Sequence, residues 1–291
     1  MRAFLGASLA VLALAVTFAQ QEPTFRSGTR IVPLPTMVTD GQGRFVPNLE
    51  EADFTILDNG KPQEIVIFEN TVQPFTVVVL LDFSISMTNE LKLLKQAAEE
   101  FLIRLLPVDK GMVGAFSSKI QFSGGFTNNR DSLIGSLQDM QYGNETRLYD
   151  ALDEGVKLLE PLDGRRVVLV FTDGEDFGSR VGEGTVRERA QRNDIMIYGI
   201  GFRSQYGGQV SNPDKSLRKL ADSTGGGYFE LKRSTELGPT FTRVAQELHS
   251  LYTLGFSPGT LDNKEHKIQV RMKQADHKAR TRATYIASLE D

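Results

Sequence analysis

The run FTVVVLLD, residues 75 to 82, is apolar at consecutive positions, the pattern of a central parallel strand covered on both faces. It divides two hydrophobic rhythms. Before it, TRIVPLPTMVTD and DFTILDNGKPQEIVIFE carry short β patterns. Asp58-Asn59-Gly60 between them predicts a hairpin turn, because Asn and Gly tolerate positive φ. After it, strand and helix periods alternate. TNELKLLKQAAEEFLIRLL places Leu91, Leu94, Ala98, Phe101 and Leu105 at helical spacing, with Thr88 as the expected N-cap. GMVGAFSSKIQFSGGFT predicts a hairpin, and RDSLIGSLQDM and RLYDALDEGVKLLEPL predict helices. Then follow RRVVLVFTD (strand), TVRERAQRND (helix), IMIYGIGF (strand), SLRKLADSTG (helix ending at Gly225), GGYFEL (strand) and TFTRVAQELHSL (helix). Beyond Tyr252 the β rhythm returns in YTLGFSPGT, HKIQVRMKQ and ARTRATYIA.

This order predicts an α/β fold with a doubly wound, mainly parallel sheet and helices on both faces, plus a small all-β flanking unit. Neither β end is long enough for a comfortable core of its own. Residues 29–72 and 251–291 are therefore expected to pack together, with the α/β domain of residues 73–250 inserted between them. At the start, Arg2, a short apolar run and the small-residue pattern around Thr17-Phe18-Ala19 predict a signal peptide over 1–19, followed by a flexible leader over 20–28. A spanning anchor is the rival reading. The apolar run is short for one, and no basic stop-transfer cluster follows it. The expectation is export to the periplasm or beyond, with no membrane span after cleavage.

Composition narrows the chemistry. Of 291 residues 40% are hydrophobic, enough to build a core, and a formal charge of −4 gives no electrostatic case for nucleic acid. The absence of cysteine removes disulfides, thiolate metal sites and a Cys nucleophile. The three histidines, His249, His266 and His277, are too few for a His-rich zinc site. His249 is expected to pack or face solvent, and His266 and His277 to be solvated. Asn144-Glu145-Thr146 is formally a glycosylation sequon, and Gly199-Ile200-Gly201 lacks the third glycine of a dinucleotide loop.

Oxygen-bearing side chains cluster instead at predicted strand ends. Asp82, Ser84 and Ser86 follow the first apolar strand, Asp173 follows a second, and Thr146 lies in the loop before LYDAL. Ligands of doubly wound sheets bind at the carboxyl ends of strands, where such loops converge. Two carboxylates with three hydroxyls suit a hard divalent cation, Mg²⁺ or Mn²⁺. A local alternative stands beside this: an Asx or Ser turn capping the next helix.

D-x-S-x-S after an apolar strand, a Thr before L-Y-D-A-L, and T-D-G after a second strand together resemble a von Willebrand factor type A domain and its metal-ion-dependent adhesion site. The flanking segments are similar to the bacterial exported VWFA-related family of acidobacterial type. The resemblance implies that Ser84 and Ser86 ligate the metal directly. Asp82 and Thr146 would act directly or through water, and Asp173 usually through water. It implies a binding module, not an enzyme, whose cation takes an Asp or Glu carboxylate from a protein partner. Glu175 and Asp176 match no ligand position and are expected at the partner-binding rim. The resemblance also implies a last helix that moves as the metal takes a ligand. A structural component of an envelope assembly is the second reading. A metal-dependent hydrolase is the third, weakened because Ser84 stands where a dehalogenase-type phosphatase needs aspartate.

Overall fold

The computed structural model describes residues 30–203, 205–206, 209–210 and 212–288. The predicted signal peptide and leader lie outside the described residues. Strands β1 (Val32–Thr39), β2 (Phe54–Asp58), β3 (Lys61–Gln63) and β4 (Ile67–Glu69) come first in the chain. β2 and β3 form a hairpin through Asn59 and Gly60, both with positive φ (47° and 80°), the left-handed turn that these two residue types admit.

The α/β part follows. Its elements are β5 (Phe75–Asp82), α1 (Leu91–Leu102), β6 (Lys110–Phe116), β7 (Ile120–Phe122), α2 (Arg130–Asp139), α3 (Leu148–Leu159) and β8 (Arg165–Thr172). They continue with α4 (Glu183–Arg192), β9 (Ile195–Phe202), a short β10 (Gln205–Tyr206) to β11 (Gln209–Val210) hairpin, α5 (Ser216–Thr224), β12 (Tyr228–Leu231) and α6 (Leu237–His249). One sheet runs in the order β12-β9-β8-β5-β6-β7, parallel except for β7. Strand side chains alternate between faces. Val77, Val79 and Leu81 of β5 therefore pack with α1, α2 and α6, while Val78 and Leu80 pack with α3, α4 and α5. Both faces are covered, which explains why the strand is apolar throughout. The strand order reverses between β5 and β8, which opens a crevice at their carboxyl ends.

The chain then returns through β13 (Tyr252–Phe256), β14 (Glu265–Met272), β15 (Lys278–Arg280) and β16 (Thr284–Ile286). β13 lies between β1 and β4, and β14 lies between β2 and β16. The result is two antiparallel sheets, β15-β1-β13-β4 and β16-β14-β2-β3. Leu34, Leu254 and Phe256 of one meet Ile56, Ile268, Val270 and Tyr285 of the other in a single core. The chain segments on either side of the α/β part thus build one sandwich. Polar contacts join it to the sheet domain. Arg280 bonds Glu247 of α6 and the Gly226 carbonyl, Arg282 Nη1 donates to Asp194 Oδ1 at 2.5 Å, and Gln191 Nε2 donates to Thr284 Oγ1 at 2.6 Å.

Three expectations are corrected. Thr88 caps no helix: its hydroxyl donates to the Ile85 carbonyl at 2.7 Å, and α1 starts only at Leu91 because a 3-10 turn over Ile85–Met87 intervenes. α6 begins at Leu237, ahead of the predicted Thr240; Gly238-Pro239 reads as a break, yet proline is tolerated in a first helical turn, where its N–H is not needed. His266 is not solvated but buried, with Nδ1 2.9 Å from Asp58 Oδ1 and Tyr285 donating to the same carboxylate at 3.1 Å.

Tyr252 fastens the sandwich at the exit from α6. Its buried hydroxyl donates to Val46 O at 2.8 Å and accepts from Leu49 N at 3.0 Å. Tyr252→Phe should destabilise the protein by about 1–3 kcal/mol, the usual cost of stranding buried backbone groups, measured by denaturant unfolding.

Candidate metal centre

β5 and β8 are hydrogen-bonded neighbours with Leu81 opposite Phe171, so the loops after Asp82 and Thr172 start side by side. Asp82 is fully buried. Its Oδ1 accepts the Ser84 N–H at 2.8 Å, an Asx turn, and its Oδ2 accepts the Thr172 hydroxyl at 2.5 Å. Ser84 occupies the N-cap position of the 3-10 turn, but its hydroxyl makes no capping bond. Ser84 Oγ lies instead 3.0 Å from Ser86 Oγ, and Ser86 Oγ donates to Asp173 Oδ1 at 2.9 Å. Local turn chemistry accounts for one oxygen of Asp82. It leaves the two serine hydroxyls turned toward each other, with that of Ser86 also on Asp173.

Thr146 joins through its backbone. The loop carrying it is pinned at one end by Gly143 N donating to Phe83 O at 3.0 Å, and at the other by an exchange of bonds between Thr146 and Phe177 at 3.3 and 2.9 Å. α3 begins just beyond, and its N-cap residue, Arg147, supplies no side-chain cap. The caps come from the Asp173 loop. Asp176 Oδ1 accepts Tyr149 N at 3.0 Å, and Ser179 Oγ accepts Asp150 N at 3.0 Å. In return Asp150 Oδ1 accepts Arg180 N and Val181 N at 2.8 and 3.0 Å, while its Oδ2 takes Arg147 Nε and Nη2 at 3.0 and 2.5 Å. The structure thus links Asp82, Ser84, Ser86 and Asp173 through side chains and Thr146 through backbone. Of the two rim candidates, Glu175 is exposed, while Asp176 directs its carboxylate at α3. Thr172, Asp150 and Ser179 were missed by sequence reasoning. Thr172 alone had a local signal, a hydroxyl one residue before a strand-end aspartate.

Burial, and next the charge of Asp173, push the Asp82 carboxyl up to about 7 against the bonds from Ser84 and Thr172. Asp173 is equally buried. Two carboxylates sealed together at a strand end repel each other, and a divalent cation relieves that repulsion. The donor set is all oxygen, which fits Mg²⁺ or Mn²⁺. Among the described residues no group of three or more His, Cys, Asp or Glu could hold a metal, so a shell built on Asp82 and Asp173 draws on neutral oxygens such as the nearby hydroxyls.

The model of the von Willebrand factor type A domain family matches residues 76–243, more than half of the chain. The chain belongs to this family. Solved structures of the same fold include a von Willebrand factor type A protein from Catenulispora acidiphila, 12% identical, covering 92% of this chain and 78% of that one with a TM-score of 0.55. Another is the conserved hypothetical protein BatB from Bacteroides thetaiotaomicron, 17% identical, covering 60% and 98% with a TM-score of 0.50. A third is proximal thread matrix protein 1 from the mussel byssus, described with a zinc-occupied MIDAS motif, 15% identical, covering 67% and 50% with a TM-score of 0.51. No curated protein matches the chain.

Two outcomes test this geometry of the type A domain. A raised carboxyl holds its proton in the folded state between its unfolded pKa, about 3.9, and its folded value, so stability from this pair is lost as pH rises through that window. Asp173→Asn removes the second charge. In chelator, its melting temperature should gain on that of the wild type as pH is raised from 5 to 8. Separately, Asp150→Ala should destabilise by about 2–4 kcal/mol, since it strands two backbone donors and a partly buried Arg147. For Asp150, burial works to raise the pKa but is outweighed by bonds from Arg147, Val181 and Arg180, which hold it low. That loss should therefore shrink as pH falls below about 4.

Proposed function

We propose that this chain is an exported binding module that captures an acidic side chain of a protein partner through Mg²⁺ or Mn²⁺ at Asp82, Ser84, Ser86, Thr146 and Asp173. The observation that carries this reading is the pair of buried, mutually repelling carboxylates with two serine hydroxyls turned toward them instead of capping the turn. When bound, the cation supplies an electrophile whose shell an outside carboxylate completes. The chain's own residues do the rest. Asp82, its oxygens engaged by Ser84 N and Thr172, fixes the loop. Ser84, Ser86 and Thr146 offer neutral oxygens, which leave the cation's charge largely uncompensated. Asp176 and Ser179 hold the Thr146 loop against the Asp173 loop.

The family and the zinc-occupied MIDAS of the mussel protein support a metal at this place in the fold. Export rests on the signal-like start of the sequence and the similarity of the flanks to exported bacterial VWFA-related proteins. Among the described residues no helix is long and apolar enough to cross a membrane. Glu175, exposed beside Asp173, belongs to the surface that a partner meets.

Titration calorimetry with Mg²⁺ and Mn²⁺ should give saturable binding that Asp173→Ala and the Ser84→Ala/Ser86→Ala double variant abolish. Silence with both ions would sink the proposal. A rise in melting temperature with cation, with no carboxylate ligand ever competing at the site, would replace capture by a purely stabilising role.

A further inference from the structure

The far end of the sheet holds an opening unlike the site above. Below the amino ends of β8 and β9, where the sandwich meets the sheet domain, lies a cavity of about 360 Å³. Its walls include Pro33 and Pro35 of β1, Met196 of β9 and two acids, Glu69 and Asp194, together with three arginines, Arg165, Arg166 and Arg282. Of these, Arg282 has a carboxylate partner in Asp194. Among the described residues, Arg165 and Arg166 hydrogen-bond only to neutral oxygens. Arg165 donates to Leu248 O and Thr253 Oγ1 at 2.9 and 3.0 Å, and Arg166 to Glu160 O and Asn193 O at 3.1 and 2.6 Å. Arg166 Nε is buried with no hydrogen-bond partner among the described residues.

Partly buried cations that no carboxylate bonds are costly, and three arginines against two acids leave the cavity with an excess of positive charge. Burial also lowers the Arg165 pKa, opposed by the charges of Glu69, in the same wall, and of Asp109. Pro33, Pro35, Pro74 and Met196 give the wall an apolar side, so bare phosphate or sulfate would leave much of that space unfilled. We infer that this cavity binds a small organic carboxylate with an apolar body, its anionic end at Arg165 and Arg166 and its body against Pro33, Pro35 and Met196. The volume is at the lower end of small-molecule sites, which sets the scale of the ligand. Because the walls come from both the sheet domain and the sandwich, the ligand would bind at their junction. The inference does not rest on the proposed metal and is tested in chelator.

The full chain, in EDTA at constant ionic strength, is titrated with phenylacetate, hexanoate, benzyl alcohol and sulfate, followed by melting temperature and calorimetry. Saturable binding of at least one carboxylate, at least tenfold tighter than sulfate or benzyl alcohol, is expected. Arg166→Gln should weaken it at least tenfold. Should that variant fold poorly, Gln73→Glu supplies an independent check: Gln73 lines the same cavity, and a carboxylate placed there competes for the arginines. It should fold and weaken carboxylate binding at least tenfold. No saturable binding by either carboxylate overturns the inference. So does binding matched by sulfate, or binding unchanged in both variants.

Discussion

Charge repulsion between Asp82 and Asp173 is the constraint around which the carboxyl end of the six-stranded sheet is organised. Both carboxylates are delivered to the same place by the parallel pairing of β5 with β8, and both are out of water. An apolar sheet end does not tolerate two such charges unless protons, hydrogen bonds or a cation compensate. The neighbouring residues either bond these carboxylates or are fixed beside them. Ser84 and Thr172 bond Asp82, Ser86 bonds Asp173, and the Thr146 loop is held where it closes the crevice.

That closure depends on an exchange between loops distant in sequence. α3 starts without a cap of its own and borrows one from Asp176 and Ser179, while Asp150 returns two bonds to the same loop. Such reciprocal capping fixes loop against loop more tightly than loop against helix alone, because moving either one strands backbone donors on both. The positions of Thr146 and Asp173 are thereby set by bonds in which neither side chain takes part.

How much of this the sequence disclosed depends on the range of the interactions. The central strand was legible at Phe75–Asp82 because covering both faces demands an unbroken apolar run. The Asn59-Gly60 turn was legible because its φ values demand those residue types. The grouping of Asp82 with Ser84 and Ser86 was visible from local spacing, and that of Asp173 from its place after a second apolar strand. What escaped was long-range. His266 meets Asp58 across 208 positions, so its hydrophilic surroundings in sequence hid its burial. Asp176 reads as a surface acid beside Asp173, yet it is the cap of a helix 27 positions earlier. Thr88 failed for a different reason: a 3-10 turn and α1 start alike in sequence, and tertiary packing decides between them.

The sandwich has a mechanical consequence. β4 enters the sheet domain and β13 leaves it, and these two strands are paired, Thr253 opposite Glu69. Tension applied along β1 and β16 would run through the sandwich and its ladders and would bypass the six-stranded sheet. A pull applied at the carboxyl end of that sheet would follow another route. It would load the two adjacent connections at its base in parallel, together with the contacts that Arg280 and Arg282 make across the junction. The six-stranded sheet is thus a pendant on a clasp, and a load applied to it is borne by the clasp.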